Sequence, residues 1–315
     1  MSDPTSSTSP PSPRRDGGFL RAGRDPGLLW WVVSGVAVFA VLATITIVVL
    51  LNNPTPAPSR PRLAPVQTAT PTPSAPTATP LRPEDSALTT VRLDRTTCPE
   101  VRIRRSALTG AALERYLNSL IDCLVEVHQE PFREAGLILI RPQLSPATEV
   151  ADSGCATVQE EPDDWAGLYC SANTTIYYRT DWAPPDPLHY VEVITHEFSH
   201  HLQHESDLLS RVNRAQRAAI KEPNGAARSQ ELSRRLELQA DCLAATMVGP
   251  QGPLAVREGE LQEFVAARAA VPPEWAATHG TGRAQSRWFL AGAQATGPAR
   301  LAACDTFTAP AALVE

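Results

Sequence analysis

Two histidines and a glutamate lie at a spacing that could hold and use a metal ion. The stretch 191–203 reads V-E-V-I-T-H-E-F-S-H-H-L-Q and contains H-E-x-x-H as His196, Glu197 and His200. Residues four apart on a helix lie on one face, so both imidazoles can bind the same ion. Glu197 can then take a proton from a water that the metal activates. The alternative is an ordinary amphipathic helix whose charged residues face solvent.

A second segment offers a third ligand. Residues 233–242 read S-R-R-L-E-L-Q-A-D-C, with Glu237 and Asp241 again four apart. A catalytic zinc site has three protein ligands and keeps a fourth position open, so Glu237 can complete a set of two histidines and one carboxylate. Asp241 can accept a hydrogen bond from the free ring nitrogen of a ligand histidine and fix its orientation. Two solvated acids beside Arg234 and Arg235 are the alternative.

Three sequence blocks resemble those of a known family. They read H-E-F-S-H-H-L-Q, then R-L-E-L-Q-A-D-C, then H-G-T-G-R-A-Q-S-R-W-F-L-A-G followed by C-D-T-F. Their order and separation over residues 168–307 are similar to those of the bacterial neutral zinc metallopeptidases, a membrane-anchored group of gluzincin-type zincins. The resemblance implies one zinc site with these residues: ligands His196, His200 and Glu237, catalytic base Glu197, and Asp241 behind a ligand.

Two further histidines lie close to these blocks. His279 belongs to the third block and could donate a hydrogen bond to the oxyanion that develops during peptide hydrolysis. A purely structural histidine explains this position about equally well. His204 lies one turn after His200, but position 203 lacks the glycine of H-E-x-x-H-x-x-G-x-x-H and the spacing differs. We therefore predict that His204 is not a ligand.

The first part of the chain predicts a membrane anchor and a stalk. Residues 1–26 are rich in Ser, Pro, Gly and Asp and predict a disordered cytoplasmic tail. Residues 27–51 carry no charge and are long enough to span a bilayer. The arginines before this segment favour an N-terminus inside, and no A-x-A-like site supports the alternative of a cleaved signal peptide. Residues 52–86 are Pro/Thr-rich and predict a stalk.

Residues 87–315 have a globular composition and form the predicted extracytoplasmic zinc metallopeptidase domain. All six cysteines lie in it, on the side of the membrane where disulfides form. Fifteen pairings are possible, and reduced cysteines are the alternative. Closure between nearest neighbours suggests the pairs Cys98–Cys123 and Cys155–Cys170, which leaves Cys242–Cys304.

Apolar periodicity predicts the elements of this domain. A helix is expected around the H-E-x-x-H stretch, and a helical excursion between residues 205 and 228. β-Branched and apolar runs predict strands at 137–140 and at 174–178, and the latter is a candidate edge strand that pairs with an extended substrate. Further helices are predicted at 107–127, 229–247, 259–270 and 283–294.

These patterns predict an α+β, mostly helical zincin-like metalloprotease domain with a small β-sheet, preceded by a single transmembrane helix. We expect one Zn²⁺ per chain and hydrolysis of a peptide or protein substrate. The alternatives are a non-catalytic anchored binding module with a structural zinc, and a zinc amidase acting on a cell-wall polymer. A structural site has no use for Glu197 beside an open position. The net charge of −6 predicts no nucleic-acid partner, and the sequence predicts no oligomeric state.

Overall fold

The computed structural model describes residues 82–94, 97–98, 101–104, 106–148, 155, 165–181 and 187–315. These residues belong to a compact unit that spans 77–315. The predicted cytoplasmic tail, the membrane span 27–51 and the stalk up to residue 81 lie outside the described residues. Among the residues that are described, no helix is long and apolar enough to cross a membrane.

Helices make up most of the described unit. The α-helices, in chain order, are α1 (Gly110–Glu134), α2 (Pro187–Glu205), α3 (Leu208–Ala219), α4 (Gly225–Val248), α5 (Glu258–Ala269), α6 (Ala276–His279) and α7 (Gly282–Gln294). Short 3-10 turns occur at Pro83–Asp85, Leu88–Thr90, Pro273–Trp275, Arg300–Cys304 and Ala311–Leu313. The predominance of helix matches the sequence prediction.

Helix α1 is longer than its pattern predicted. Its buried side includes Leu113, Leu117 and Leu124, at the spacing of an amphipathic helix. It continues past the predicted end at residue 127 to Glu134, although Pro131 cannot donate a backbone hydrogen bond. Phe132 is fully buried and holds the last turn on the core.

A small sheet covers one side of the helices. Its strands are β1 (Gln143–Ala147), β2 (Gly167–Cys170) and β3 (Thr175–Arg179), in the spatial order β1-β3-β2. Strand β3 pairs parallel with β1 and antiparallel with β2. The predicted strand at 174–178 therefore exists as β3, but it is the central strand.

Two strand predictions need correction. The segment 137–140 forms no strand, because Ile138 is 76% exposed and the chain enters the sheet only at Gln143, after Pro142. The proposed role of β3 as an edge strand is wrong, because β1 and β2 occupy both of its edges. Strand β2 is an edge of the sheet instead.

Helices α2 and α4 form the centre of the core. In α2, Val191, Ile194, Phe198 and Leu202 are each fully buried, as their spacing predicts. Helix α4 is buried around most of its circumference, as the side chains from Leu238 to Val248 show. Helix α7 packs directly on it.

Close packing of α7 on α4 depends on a glycine. A Cβ atom at Gly292 would lie 2.0 Å from the Cys242 carbonyl oxygen, so no larger residue fits without separating the helices. This contact places α7 against α4 directly after Asp241.

The six cysteines form three disulfides: Cys98–Cys123, Cys155–Cys170 and Cys242–Cys304, with Cα separations of 5.8, 5.9 and 5.4 Å. The first two are the pairs that nearest-neighbour closure suggests, and the third is the pair that they leave. The first fastens the segment before α1 to α1 itself. The third joins α4 to the Arg300–Cys304 turn in the C-terminal segment.

Candidate metal centre

Helices α2 and α4 bring three potential ligands together. His200 Nε2 lies 3.1 Å from His196 Nε2 and 3.1 Å from Glu237 Oε2. His196 Nε2 lies 3.4 Å from the same Glu237 oxygen. Imidazole and carboxylate groups this close form a compact triangle of donor atoms. The two residues that α2 contributes are one turn apart, and the third comes from the adjacent helix.

The donor set fits zinc. Catalytic zinc sites commonly combine two imidazole nitrogens and one carboxylate oxygen with an open fourth position. The three side chains line a cavity of about 680 Å³ that Glu197, Tyr169 and other residues also line. Among the described residues, His201, His204 and Glu205 form a second group of donor atoms. His204 lies in that group and not with His196, in agreement with its predicted exclusion from the ligand set.

Asp241 and Arg268 support His196 at its Nδ1 atom. Its Nδ1 lies 3.2 Å from Asp241 Oδ1, on α4. The guanidinium of Arg268, on α5, donates to the same Asp241 oxygen at 3.0 Å and also to Glu192, one turn before His196 on α2. Arg268 is 6% exposed, and its guanidinium lies 3.9 Å over the Phe289 ring. Asp241 therefore contacts His196 in the position that the sequence predicts.

His200 has a separate support made of amides. Its Nδ1 donates to Gln203 Oε1 at 2.9 Å. The Gln203 amide nitrogen donates to Gln239 Oε1 at 3.1 Å and to the Leu236 carbonyl at 2.9 Å. Gln239 in turn donates to the Cys304 carbonyl at 3.1 Å. This series orients His200 and connects it to the C-terminal segment.

The acids and bases of the site shift one another's pKa values. Burial favours neutral Glu237, but the histidines around it hold the pKa of its carboxyl well below the usual value. Burial also opposes a charged His196, but Asp241 and Glu237 raise the pKa of its imidazole well above the usual value. Burial likewise raises the pKa of Asp241, and Arg268 and His196 more than offset this, so the net pKa is lowered. A metal ion at this site would replace the protons on the histidines.

Glu197 points at the sheet. Its Oε2 accepts a hydrogen bond from the Tyr169 backbone N–H at 2.7 Å. A Cβ atom at Gly167 would lie 2.5 Å from Val193 Cγ1 and 2.9 Å from Glu197 Cγ, so only glycine lets β2 approach α2 this closely. Glu197 itself is 8% exposed and lines the same cavity as the three donors.

The Tyr169 side chain extends along α2 beyond Glu197. Its hydroxyl lies 2.7 Å from His204 Nδ1 and 3.0 Å from His201 Nδ1. Burial and the charge of Glu205 raise the pKa of Tyr169 above its usual range, so the phenol keeps its proton. Burial lowers the pKa of His201 to about 4, so this ring is neutral near pH 7.

His279 lies at the rim of the site. Its Nε2 is 3.8 Å from Glu237 Oε2, and its Nδ1 lies 2.9 Å from the Thr278 hydroxyl. Its ring is tilted against Trp275 with centroids 5.1 Å apart. Both aromatic side chains line the cavity. The structure thus brings His279 near the three donors.

Three residues of this site are absent from the sequence predictions. Gln203 lies within the stretch around H-E-x-x-H, and its position three residues after His200 was a usable signal. Arg268 and Tyr169 gave no such signal. They come from α5 and β2, and only the packing of those elements on α2 and α4 brings them to the site.

The chain is similar to one protein family and to several mycobacterial proteins. The family described as "Putative neutral zinc metallopeptidase" matches residues 94–307. Uncharacterized proteins from Mycobacterium tuberculosis (strains H37Rv and CDC 1551) and Mycobacterium bovis are each 30% identical over 205 residues, covering 54% of this chain. The match spans 63% of the length of these relatives. No solved structure is significantly similar to the chain.

Proposed function

Because this chain belongs to the neutral zinc metallopeptidase family, we propose that it is a membrane-anchored zinc peptidase that cleaves peptide bonds with Glu197 as general base. The observation that carries the proposal is the convergence of His196, His200 and Glu237 beside Glu197 in one cavity. A structural zinc site needs only its ligands. A buried carboxylate next to an accessible position fits hydrolysis better.

His196, His200 and Glu237 would hold the ion. Bound zinc would supply a Lewis acid that polarises the scissile carbonyl and makes water more acidic. With Oε2 held by the Tyr169 amide, Glu197 can use Oε1 to take a proton from the attacking water. The same carboxyl can later give this proton to the leaving nitrogen. His279 Nε2 can donate a hydrogen bond to the developing oxyanion.

Strand β2 is the better candidate for substrate pairing. Arg179 N–H donates to the Ala166 carbonyl at 3.1 Å, so hydrogen-bonded pairs between β2 and β3 recur at every second residue from Ala166. Gly167 and Tyr169 therefore direct their backbone groups away from β3. Since the Tyr169 N–H binds Glu197, an extended peptide would pair mainly with Gly167.

This pairing can be tested on the substrate side. Single N-methyl groups placed along the backbone of a cleaved peptide should raise KM strongly at one position, the one that faces Gly167. A series in which no N-methyl group changes KM would exclude pairing with β2.

The reaction itself is tested by Glu197→Gln in the full-length chain. This change removes the base and keeps the shape and the ligands. Loss of a general base lowers kcat by on the order of 10² to 10⁴-fold. Cleavage is measured as new peptide termini in a protein mixture, with and without chelator, and zinc content is measured in parallel. Unchanged cleavage by Glu197→Gln with zinc bound would exclude this mechanism.

The same assay separates the two alternatives. A zinc-loaded chain that cleaves no peptide but loses stability with chelator is a structural binding module. Release of amines from cell-wall polymer, in the absence of peptide cleavage, identifies an amidase. Either result would replace the peptidase assignment.

A further inference from the structure

We infer that Tyr169 is a positioning residue for Glu197, and that His201 and His204 hold it in place through its hydroxyl. The inference deepens the proposed function, because it concerns the general base of that reaction. The contact that matters is the buried hydrogen bond of 2.7 Å from the Tyr169 backbone N–H to Glu197 Oε2. It fixes one carboxylate oxygen and leaves Oε1 available for proton transfer.

The backbone direction of β2 makes this contact possible. Tyr169 pairs with Ile176 at a position whose N–H and C=O point away from β3. An outward-facing amide on an edge strand has no partner in the sheet. Glu197 supplies a partner from α2, so the carboxylate takes the one hydrogen bond that a paired strand would otherwise accept from residue 169.

The side chain of Tyr169 fixes where this amide lies. His201 Nε2 donates to the Ile140 carbonyl at 2.7 Å, because a carbonyl can only accept. Nδ1 of His201 lies 3.0 Å from the Tyr169 hydroxyl, which has a single proton to donate. Nδ1 of His204 lies 2.7 Å from the same hydroxyl, so the phenol can donate to one ring and accept from the other.

This series of hydrogen bonds is continuous. It connects His204, the Tyr169 hydroxyl, His201 and the Ile140 carbonyl. His201 is fully buried and Tyr169 is 8% exposed, so water cannot easily replace either partner. The ring of Tyr169 also lies against both imidazoles, with centroids 5.3 and 5.8 Å apart.

Both ends of β2 are fixed as well. Gly167 lies against Val193 and Glu197 with no space for a Cβ atom. Cys170, directly after Tyr169, is fully buried and bonded to Cys155. The strand therefore has little freedom to slide, and the Tyr169 amide is held at the carboxylate from three directions.

A metal-binding role for the same histidines is less consistent with the contacts. His201, His204 and Glu205 offer donor atoms within 4.8 Å of one another. The two Nδ1 atoms that face each other are already in hydrogen-bond contact with the Tyr169 hydroxyl. A complete hydrogen-bond series accounts for them, so we assign the positioning role.

The test combines hydrogen exchange with turnover in the full-length chain. Tyr169→Phe keeps the ring and the backbone amide but removes the hydroxyl that the histidines hold. Tyr177→Phe is the matched control. Tyr177 is a buried tyrosine on the adjacent strand, and its hydroxyl accepts from Asn173 at 2.9 Å, away from Glu197. Glu197→Ala removes the acceptor of the amide itself.

Exchange of the amide at residue 169 should be slow in the parent chain. We expect exchange to be about tenfold faster or more in Tyr169→Phe and in Glu197→Ala, and unchanged in Tyr177→Phe. Turnover in Tyr169→Phe should fall by roughly tenfold in kcat, with KM and zinc content near those of the parent. His204→Ala, at a partly exposed position, should give a smaller effect of the same kind if Tyr169→Phe does not fold.

Two results would overturn the inference. One is an amide at residue 169 that stays equally protected in Glu197→Ala, because the carboxylate then does not hold it. The other is a Tyr169→Phe variant with parental exchange and parental kcat. If the parent chain cleaves no peptide but the exchange results are as expected, the contact stands and the proposed function fails.

Discussion

At the scale of single residues, protons and metal compete for the same three side chains. The histidines around Glu237 lower the pKa of its carboxyl, and Asp241 and Glu237 raise the pKa of the His196 imidazole. Zinc binding must release the histidine protons. Metal affinity should therefore fall as the pH is lowered, because protonated histidines cannot bind the ion.

Glu237→Ala should lose most of the bound zinc. It removes one of three ligands, whereas loss of a partner behind a ligand costs only about 10 to 100-fold in affinity. We therefore expect zinc affinity to fall by about that factor in Asp241→Asn and by more in Glu237→Ala. Glu205→Gln is the control, since it lies in the second donor group. Zinc is measured by titration against a chelator of known affinity, and full occupancy in Glu237→Ala would mean that another residue is the third ligand.

His128 should make the folded state sensitive to acid. It is fully buried on α1, against Phe198, and burial lowers the pKa of its ring to about 4. The ring takes up a proton near pH 6.5 when the chain is unfolded but only near pH 4 when it is folded. The unfolded state thus binds more protons between these values, so acidification within this window destabilises the fold by up to about 3 kcal/mol.

His128→Leu should reduce this loss. The free energy of unfolding is measured by denaturant titration between pH 7 and pH 4.5 for the parent and the variant. The variant should lose less stability over this range, because its side chain cannot titrate. Identical slopes in the two proteins would contradict the assigned burial of His128.

At the scale of elements, the fixed geometry of the site depends on α2, α4 and the C-terminal segment. Helix α4 carries Glu237 and Asp241, and the Cys242–Cys304 disulfide fastens it to the turn that also supports Gln239. The support of His200 through Gln203 ends at the same turn. A more mobile turn should therefore weaken the hydrogen bonds of Gln239 and Gln203 that support His200.

Cys242→Ala/Cys304→Ala should lower stability and zinc affinity together. The disulfide closes a loop of 62 residues, and its removal should cost roughly 4 kcal/mol of unfolding free energy. Zinc affinity should fall by about tenfold through loss of support for His200. Cys155→Ala/Cys170→Ala is the control with a loop of 15 residues, and should cost roughly 3 kcal/mol with zinc affinity unchanged. Parental zinc affinity in Cys242→Ala/Cys304→Ala would show that this disulfide does not support the metal site.

At the scale of the whole molecule, the described unit is the part of the chain that carries the candidate metal site. Residues 82–86, at the end of the predicted stalk, belong to this unit: Pro83 is buried, and Arg211 donates to the Arg82 carbonyl at 3.3 Å. We propose that residues 27–51 anchor the chain and that residues up to 81 hold the peptidase unit away from the bilayer.

Protease added outside intact cells should then release the unit. Cleavage is expected within 52–81, where a Pro/Thr-rich segment favours extended conformations. The released fragment is detected with a C-terminal tag, and an N-terminal tag should remain protected until the membrane is opened. A C-terminal tag that is protected in intact cells would mean that the orientation is inverted.

Local spacing determined most of what the sequence predicts here. Residues four apart on a helix share a face, so H-E-x-x-H and the Glu237/Asp241 pair defined two donor groups without any tertiary information. Apolar periodicity predicted α4, α5 and α7 to within a few residues, but it missed α6 and the end of α1. Nearest-neighbour closure suggested two disulfide pairs, which left Cys242–Cys304 as the third, because each pair joins cysteines that are consecutive along the chain.

Contacts between distant segments were decided only by the tertiary structure. Strand order placed β3 in the centre of the sheet and β2 at the edge beside Glu197, because periodicity defines a strand but not its neighbours. Arg268 reaches Asp241 from 27 residues away, and the Tyr169 amide reaches Glu197 from 28 residues away. The sequence names the groups that could do the chemistry, and packing of β2, α5 and the C-terminal segment determines which way those groups point.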